Sequence, residues 1–364
     1  MRTQYGYAAT LMALVLCSAA SAQSVPLCPG LTIVGAVNEP HGDYESITTV
    51  ESVDAEGVNA KMSANVETGR AIRIVTARRR TLLRDMKNAR LVNSWFGPET
   101  PRLQPGTTAW GPSTAVLRAL KTKGTAEIGL VDRGSSSYTA DRSRQPNIFD
   151  AEMVYPVRRV AGPVPVSVLV NGVKVNLPTI HARGEYMGDV AEWFILDDMN
   201  TPLSLRSRMT PLGGGPPTEK QIVKIFYRCK GPTARMSQVA EASDIERSLL
   251  KSGRVDVYSI FFDFNSDRIR EESDSTLAEI ANVLRKHRTW KLSIQGHTDN
   301  IGGDRYNLDL SRRRAASVKQ ALVSRHRIDA RRLSTGGAGA AQPRDTNATL
   351  EGRARNRRVE LVRQ

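Results

Sequence analysis

Apolar and polar residues alternate along most of residues 31–228, with frequent proline and glycine between the alternating segments. Strand-like runs occupy 71–77, 125–131, 192–198 and 221–229. In residues 164–177, VPVSVLVNGVKVNL, the pair Asn171-Gly172 separates two such runs, which is the strongest short-range signal for a β-hairpin. Residues 81–92 instead have apolar positions in rough helical spacing. The pattern predicts a mainly β, sandwich-like N-terminal domain with one helix.

In the last third of the chain the spacing of apolar residues alternates between that of strands and that of helices. Residues 256–264 and 290–297 have the pattern of strands. The segment between them, 271–287, carries an apolar stripe at helical intervals, formed by Leu277, Ile280, Ala281 and Leu284. A second helix is predicted from Leu310 to about Arg325, followed by an extended RRLSTGG and a final strand VELV. This order predicts an α/β sandwich of βαβαβ type with its helices on one face.

The first residues have the features of a secretory signal peptide. The basic Arg2 precedes a short apolar run at 8–16, and an A-x-A pattern at 20–22 is a typical cleavage site. A lipoprotein signal needs a small residue before its cysteine, so Leu16 argues against lipidation of Cys17. No later segment is apolar over about 18 residues, so we expect an exported protein without a transmembrane helix.

A chain of 364 residues is too long for one ordinary core. We divide it into a signal peptide (1–22), an N-terminal β-rich domain (23–229), a linker (230–249) and a C-terminal domain (250–364). The linker begins with the polar segment KGPTARMSQVAEAS.

Signal cleavage leaves two cysteines, Cys28 and Cys229. An even pair in an oxidising compartment is expected to form a disulfide, which here would join the two ends of the N-terminal domain. Metal binding is the alternative, but two distant thiols without a histidine cluster do not make a zinc site.

The charge is strongly positive, with a net value of +15, and residues 250–364 hold 23 Lys and Arg against 14 Asp and Glu. Such a balance indicates a polyanionic partner. Export argues against nucleic acid and leaves cell-wall peptides with free carboxylates, or acidic lipid faces. A solvated basic surface with no partner is the alternative.

The N-terminal domain shows no catalytic arrangement in its sequence. His41 and His181 are isolated, and lone histidines are usually structural or surface residues. Asp197-Asp198 at a strand end could bind a cation, although a solvated strand terminus is the simpler interpretation. No metal or other cofactor is expected.

The stretch GHTDNIGGDRYNLDLSRRRA, residues 296–315, combines an acid in a glycine-rich loop with an arginine in the helix that follows. A loop at the carboxyl end of a strand is where open α/β sheets place ligands, and the following helix must lie beside it. Asp299 and Arg314 are therefore predicted to be neighbours. They could hold opposite ends of a zwitterionic ligand, or they could simply form an internal salt bridge.

Four motifs in the last third occur together in the order and spacing of a known family. They are FFDFNSD (261–267), GHTDNIGG (296–303), NLDLSRRRA (307–315) and GRARNRRVEL (352–361). From about Gly253 to Gln364 the chain resembles the OmpA-type C-terminal domain shared with MotB-like motor stators and peptidoglycan-associated lipoproteins. The resemblance implies non-covalent binding of peptidoglycan at the diaminopimelate residue of its stem peptide.

The resemblance also implies roles for individual residues. Asp299 would bind the ammonium of diaminopimelate, and Arg314 would bind the carboxylate on the same carbon. The other residues implied at or beside the pocket are Asn265, Asn307, Thr298, Asn300 and Arg357. Ala338 departs from the family pattern, which usually has an aromatic residue there, and this puts the packing beside that loop in question.

Three hypotheses follow for the whole chain. The leading one is a Gram-negative periplasmic protein, associated with the outer membrane, that tethers its N-terminal domain to the wall. Its partners would be peptidoglycan and other outer-membrane or periplasmic proteins. The second is a wall-associated enzyme with an unrecognised site in the N-terminal domain. The third is an outer-membrane β-barrel with a periplasmic anchor, which an aromatic content of 5% disfavours.

Overall fold

A computed structural model describes residues 24–38, 43–68, 71–93, 102–131, 154–186, 188–229 and 244–364. The predicted signal peptide with Cys17, the isolated His41 and residues 230–243 of the predicted linker lie outside these ranges.

The described N-terminal part is rich in β-strands, as the alternating pattern predicts. Its strands are β1 (Thr32–Val37), β2 (Tyr44–Val53), β3 (Gly57–Thr68), β4 (Ala71–Leu82), β5 (Leu91–Val92), β6 (Thr107–Thr108), β7 (Thr125–Leu130), β8 (Val154–Val170), β9 (Val173–Tyr186), β10 (Asp189–Leu196), β11 (Ser204–Pro211) and β12 (Thr218–Phe226). Each of the four runs predicted to be strands falls mainly within β4, β7, β10 or β12.

These strands form one hydrogen-bonded sheet in the order β4-β3-β2-β1-β12-β11-β10-β9-β8-β7-β5-β6. A parallel pairing of β12 with the end of β8 closes the five strands β8 to β12 into a ring. The predicted sandwich-like arrangement of two facing sheets is therefore not confirmed, whereas the β-rich character is.

The predicted hairpin is the connection between β8 and β9. Val170 pairs with Val173, and the two intervening residues, Asn171 and Gly172, have φ of 49° and 82°. Positive φ at both central residues defines the tight turn that Asn-Gly favours. The apolar residues of the hairpin that face inward are buried in the N-terminal core, among them Val166, Val168, Val170 and Leu177.

Two helices interrupt the strands. The predicted helix at 81–92 is confirmed only as the short α1 (Leu83–Asn88), because β4 continues to Leu82 and β5 begins at Leu91. The second, α2 (Thr114–Lys123), was not predicted. Ser113 caps its start by accepting a hydrogen bond from the backbone of Val116, and its Leu117 and Leu120 are fully buried.

The predicted disulfide is present. Cys28 and Cys229 are bonded, with their Cα atoms 6.3 Å apart and a sequence separation of 201. They lie just outside the paired strands β1 and β12, in which Thr32 is opposite Phe226. The bond therefore joins the first and last strands of the N-terminal sheet covalently.

The C-terminal part has four helices and four strands. They are α3 (Asp244–Ser252), β13 (Arg254–Val257), α4 (Asp274–Lys286), β14 (Leu292–His297), α5 (Asp304–Ser324), β15 (Leu333–Gly339), α6 (Leu350–Asn356) and β16 (Val359–Arg363). The sheet order is β13-β16-β14-β15, with β14 and β15 parallel. The predicted α/β architecture is confirmed, including the apolar stripe of α4, which is fully buried.

Three boundaries differ from the sequence prediction. The strand expected at 256–264 is β13 and ends at Val257, and Phe261 and Phe264 beyond it contact the N-terminal part. Residues 244–249, assigned to the linker, begin helix α3, whose Ile245 and Leu249 are buried in the C-terminal core. The helix expected from Leu310 begins earlier, at Asp304. Its first turn is polar, so the pattern of apolar residues does not indicate where it begins.

The N-terminal and C-terminal parts are docked against each other. A buried apolar cluster contains Val34, Ala36, Ile47 and Val223 from the sheet and Phe261, Leu350 and Ala354 from the C-terminal part. Tyr44 and Phe264 add an edge-to-face contact with ring centroids 4.9 Å apart. No helix among the described residues has the length and apolar character needed to cross a bilayer.

Candidate functional site

The site begins with the close packing of helix α5 on the C-terminal sheet. Gly296, in strand β14, lies directly against the backbone of Ser311, and a Cβ added there would overlap the carbonyl group of Ser311. Glycine is therefore required for α5 to lie this near the strand. This packing fixes the position of Arg314, one turn further along α5, beside the loop that follows β14.

That loop and helix form one wall of a cleft of about 600 Å³, a volume that includes the solvent at its mouth. Six of the seven predicted ligand-binding residues line it, namely Asn265, Thr298, Asp299, Asn307, Arg314 and Arg357. Asn300 does not; it is exposed, and its backbone N–H donates to Asn347 Oδ1 at 3.3 Å.

Arg314 is held in the cleft without a carboxylate partner. Its Nε donates to the backbone oxygen of Ser266 at 2.9 Å, and its guanidinium carbon lies 4.9 Å from the centre of the Phe262 ring. No carboxylate of the described residues lies within 4.0 Å of its nitrogens. Burial, reinforced by repulsion from Arg357, lowers the pKa of Arg314 to about 10, so the guanidinium remains charged at neutral pH.

Asp299 is buried and ion-paired, but its partner is Arg357. Its Oδ1 accepts the backbone N–H of Ile301 at 3.0 Å, and its Oδ2 accepts from Arg357 Nη1 at 2.5 Å. The alternative of an internal Asp299–Arg314 salt bridge is therefore wrong. Both residues line the same cleft, with their charges facing different partners.

Arg357 is surrounded by carboxylates. Besides Asp299 it contacts Asp43 at 3.0 Å and Glu45 at 2.7 Å, both from the N-terminal part. Burial alone would lower its pKa, but Glu45, Asp299 and Asp43 outweigh burial and raise the pKa above its ordinary value. Four hydrogen bonds thus join the guanidinium of Arg357 to carboxylates of the protein itself.

The remaining predicted residues shape the cleft. The Asn307 amide donates to the backbone oxygens of Asp299 and Ile301, so it holds the acidic loop. Thr298 is 5% exposed, and its hydroxyl has no hydrogen-bond partner among the described residues. Asn265 is exposed at the rim, with φ of 51°, and its backbone oxygen accepts from Tyr306.

Three lining residues that the sequence interpretation missed come from the other end of the chain. Asp43, Glu45 and Asn65 belong to or flank β2 and β3. Nothing in their local sequence marks them, since the pairing with Arg357 is created only when the two parts of the chain dock.

The two other candidate sites do not form binding centres. Asp197 pairs with Lys121, and the buried Asp198 accepts backbone N–H groups from Val25 and Asn200. His181 stacks on Phe194 and lies 3.0 Å from a Glu192 oxygen. Within the described ranges, no group of three or more His, Cys, Asp or Glu could hold a metal ion.

Comparison with protein families identifies the C-terminal region. Residues 261–357 match the model of the OmpA family. The family predicted from the four motifs is therefore confirmed for this region.

Individual relatives are similar over the same region. Outer membrane protein A of Bordetella avium is 46% identical over 101 residues, which cover 28% of this chain and 52% of that protein. Outer membrane protein Omp38 of Acinetobacter baumannii is 45% identical over 100 residues, 28% of each chain. The chain thus spans about half or less of these relatives. The peptidoglycan-associated lipoprotein of Burkholderia pseudomallei, a solved structure, is 29% identical with a TM-score of 0.29, over 33% of this chain and 98% of that one.

Proposed function

We propose that the protein binds peptidoglycan non-covalently through the cleft and thereby attaches its N-terminal part to the cell wall. The ligand is the end of the diaminopimelate side chain in the stem peptide, which carries an ammonium and a carboxylate on one carbon. The observation that carries the proposal is Arg314, a charged guanidinium that lines an open cleft and has no carboxylate partner among the described residues.

Each charge of the ligand has a candidate partner. The Arg314 guanidinium has N–H groups available for a carboxylate, which it can bind in a two-pronged arrangement. Asp299 uses one lone pair of each oxygen for Ile301 and Arg357, so it can also accept from an ammonium. Thr298 lines the cleft but its hydroxyl is buried, so in this proposal it shapes the loop.

The other predicted residues have supporting roles in the proposal. Asn307 holds the acidic loop, Asn265 forms part of the rim, and Arg357 orients the Asp299 carboxylate. Asn300, outside the cleft lining, acts through loop shape alone. We assign none of these residues a catalytic role.

Weak binding is sufficient for such an anchor. Two charge-assisted contacts and a few neutral ones give a modest net free energy of binding once the entropy lost in ordering the ligand and side chains is subtracted. One stem peptide should therefore bind with roughly micromolar to millimolar affinity, about 4–8 kcal/mol. A wall presents many identical stems, and rebinding among them makes weak contacts effective.

The location follows from the same proposal. OmpA-family similarity and relatives named as outer membrane proteins support an envelope protein of a Gram-negative cell, exported by residues 1–22 and facing the periplasm beside the outer membrane. In this scheme residues 23–229 meet other envelope proteins and residues 250–364 carry the wall-binding site.

Co-sedimentation of the full mature chain with purified diaminopimelate-type sacculi tests the proposal. Asp299→Ala and Arg314→Ala should each abolish sedimentation, since each removes one of the two charged contacts. Arg312→Ala is the matched control, because Arg312 is an exposed cation two positions away on the same helix. Circular dichroism should show that all three variants are folded.

Two outcomes would contradict the proposal. If binding declines gradually with salt and tolerates both cleft substitutions, the protein adheres by its net charge alone. If sacculi release soluble fragments on incubation, the protein is a wall-acting enzyme and not an anchor.

A further inference from the structure

The N-terminal part supplies a wall of the proposed peptidoglycan cleft. Asp43 lies just before β2, Glu45 lies in β2, and Asn65 lies in the neighbouring β3. All three line the same cleft as Asp299 and Arg314. The cleft is therefore formed by two parts of the chain that are more than 200 positions apart in sequence.

Asp43 and Glu45 differ in whether they have a carboxylate oxygen free to accept a hydrogen bond from a ligand. The Asp43 side chain is fully buried, and both of its oxygens are used, by Arg353 at 2.8 and 2.9 Å and by Arg357 at 3.0 Å. Glu45 is 19% exposed at its side chain. Its Oε1 contacts Arg357 and Lys224, while its Oε2 accepts no hydrogen bond from the residues that the structure describes.

The two cations beside Glu45 favour its charged form. Burial would raise its pKa, but Lys224 and Arg357 outweigh burial and lower the pKa to about 2. Glu45 and Asp299 line the same cleft and contact the same guanidinium, that of Arg357, Glu45 at its Nε and Nη2 and Asp299 at its Nη1. Arg314 lines the same cleft, where Glu45 and Asp299 act on its charge, but no carboxylate of the described residues lies within 4.0 Å of its nitrogens.

We propose that the stem-peptide site is composite, with Glu45 of the N-terminal part acting together with Asp299 as the second carboxylate for the ligand ammonium. Glu45 is in this scheme a specificity-determining residue, because it favours ligands that carry an ammonium beside the carboxylate bound by Arg314. The inference rests on the peptidoglycan binding proposed above.

Several kinds of contact dock the two parts of the chain. They are the shared apolar cluster, the paired Tyr44 and Phe264 rings and the two-pronged Arg353–Asp43 contact. A ligand shifts a conformational equilibrium only by its difference in affinity for the two states. A stem peptide of micromolar to millimolar affinity should therefore bind with β2 in place.

The test compares two soluble stem peptides by calorimetry with the full mature chain. One ends in meso-diaminopimelate, and the other has the distal amine replaced by hydrogen and keeps the carboxylate. Wild-type protein should prefer the first. In Glu45→Gln that preference should fall by about tenfold, the size of one charge-assisted contact. Using the ratio cancels any general loss of folded protein.

Glu51→Gln is the matched control. Glu51 is on the same strand, is exposed, and pairs with Arg78 outside the cleft. This variant should keep the wild-type preference. A preference in Glu45→Gln equal to that of wild type would overturn the composite site while leaving peptidoglycan binding intact. If wild-type protein binds neither peptide, the proposed function itself fails.

Small-angle scattering gives an independent check on the same chain. Saturating diaminopimelate peptide should leave the radius of gyration unchanged, since β2 stays docked. Expansion on binding would show that the ligand displaces Asp43 and Glu45, and it would overturn the composite site.

Discussion

His297, the last residue of β14, is a buried titratable group next to the proposed binding loop. It is 2% exposed, its Nε2 lies 3.4 Å from Glu360 Oε2, and neither ring nitrogen makes a hydrogen bond with a described residue. Burial, with repulsion from Arg358, lowers its pKa from 6.5 to about 4 despite the nearby Asp256. The imidazole is therefore neutral in the folded protein at pH 7.

This depressed pKa predicts acid sensitivity. Below about pH 6.5 the unfolded chain protonates this imidazole whereas the folded chain does not, so the contribution of His297 to the free energy of unfolding should fall by up to about 1.4 kcal/mol per pH unit down to about pH 4. Urea denaturation of His297→Gln at pH 7 and pH 5 should show a smaller decrease than wild type. Identical decreases would mean that another group causes the acid sensitivity.

At the scale of elements, the approach of α5 to β14 depends on Gly296. In Gly296→Ala the new methyl group meets the backbone of Ser311, so the helix must shift. Overpacking of this kind costs about 1–3 kcal/mol, and the shift should also weaken binding to sacculi by moving Arg314. Gly303→Ala is the control, since no heavy atom lies within 4 Å of a Cβ at that position.

The β8–β9 hairpin gives a second prediction at this scale. Gly172 has φ of 82°, whereas a Cβ there would meet only ordinary contact with Tyr258. Gly172→Ala should therefore lower the free energy of unfolding by about 1 kcal/mol through backbone strain alone. Gly213→Ala, in an open position, should have an effect below about 0.5 kcal/mol. An equal decrease in the free energy of unfolding of the two variants would argue against backbone strain at Gly172 as the cause.

The elements show what a sequence pattern can and cannot predict. The hairpin and the buried stripe of α4 were predictable, because their signals lie within one short segment. The start of α5 was not, since its first turn is polar. The position of Glu45 in the cleft could not be predicted either. It depends on contacts between distant parts of the chain, which no local pattern of apolar residues indicates.

For the whole molecule, the Cys28–Cys229 bond should contribute substantially to the stability of the N-terminal part. It closes a loop spanning 201 positions, and loss of a native disulfide typically costs about 2–5 kcal/mol. The double variant Cys28→Ser/Cys229→Ser should melt at a lower temperature than oxidised wild type.

Reductant provides the control for the disulfide. It should lower the melting temperature of wild type to that of the double variant and change only the wild-type migration on a denaturing gel. An unreduced wild type that melts with the variant would contradict the predicted contribution.

The docking of the N-terminal sheet beside the cleft has a mechanical consequence. If a stem peptide is held between Arg314 and Asp299, any tension on that peptide reaches Arg357 and then β2 through Asp43 and Glu45. From β2 the load spreads sideways to β1 and β12, whose ends the disulfide joins. The bound wall strand would thus fix the tilt of the N-terminal sheet as well as its location.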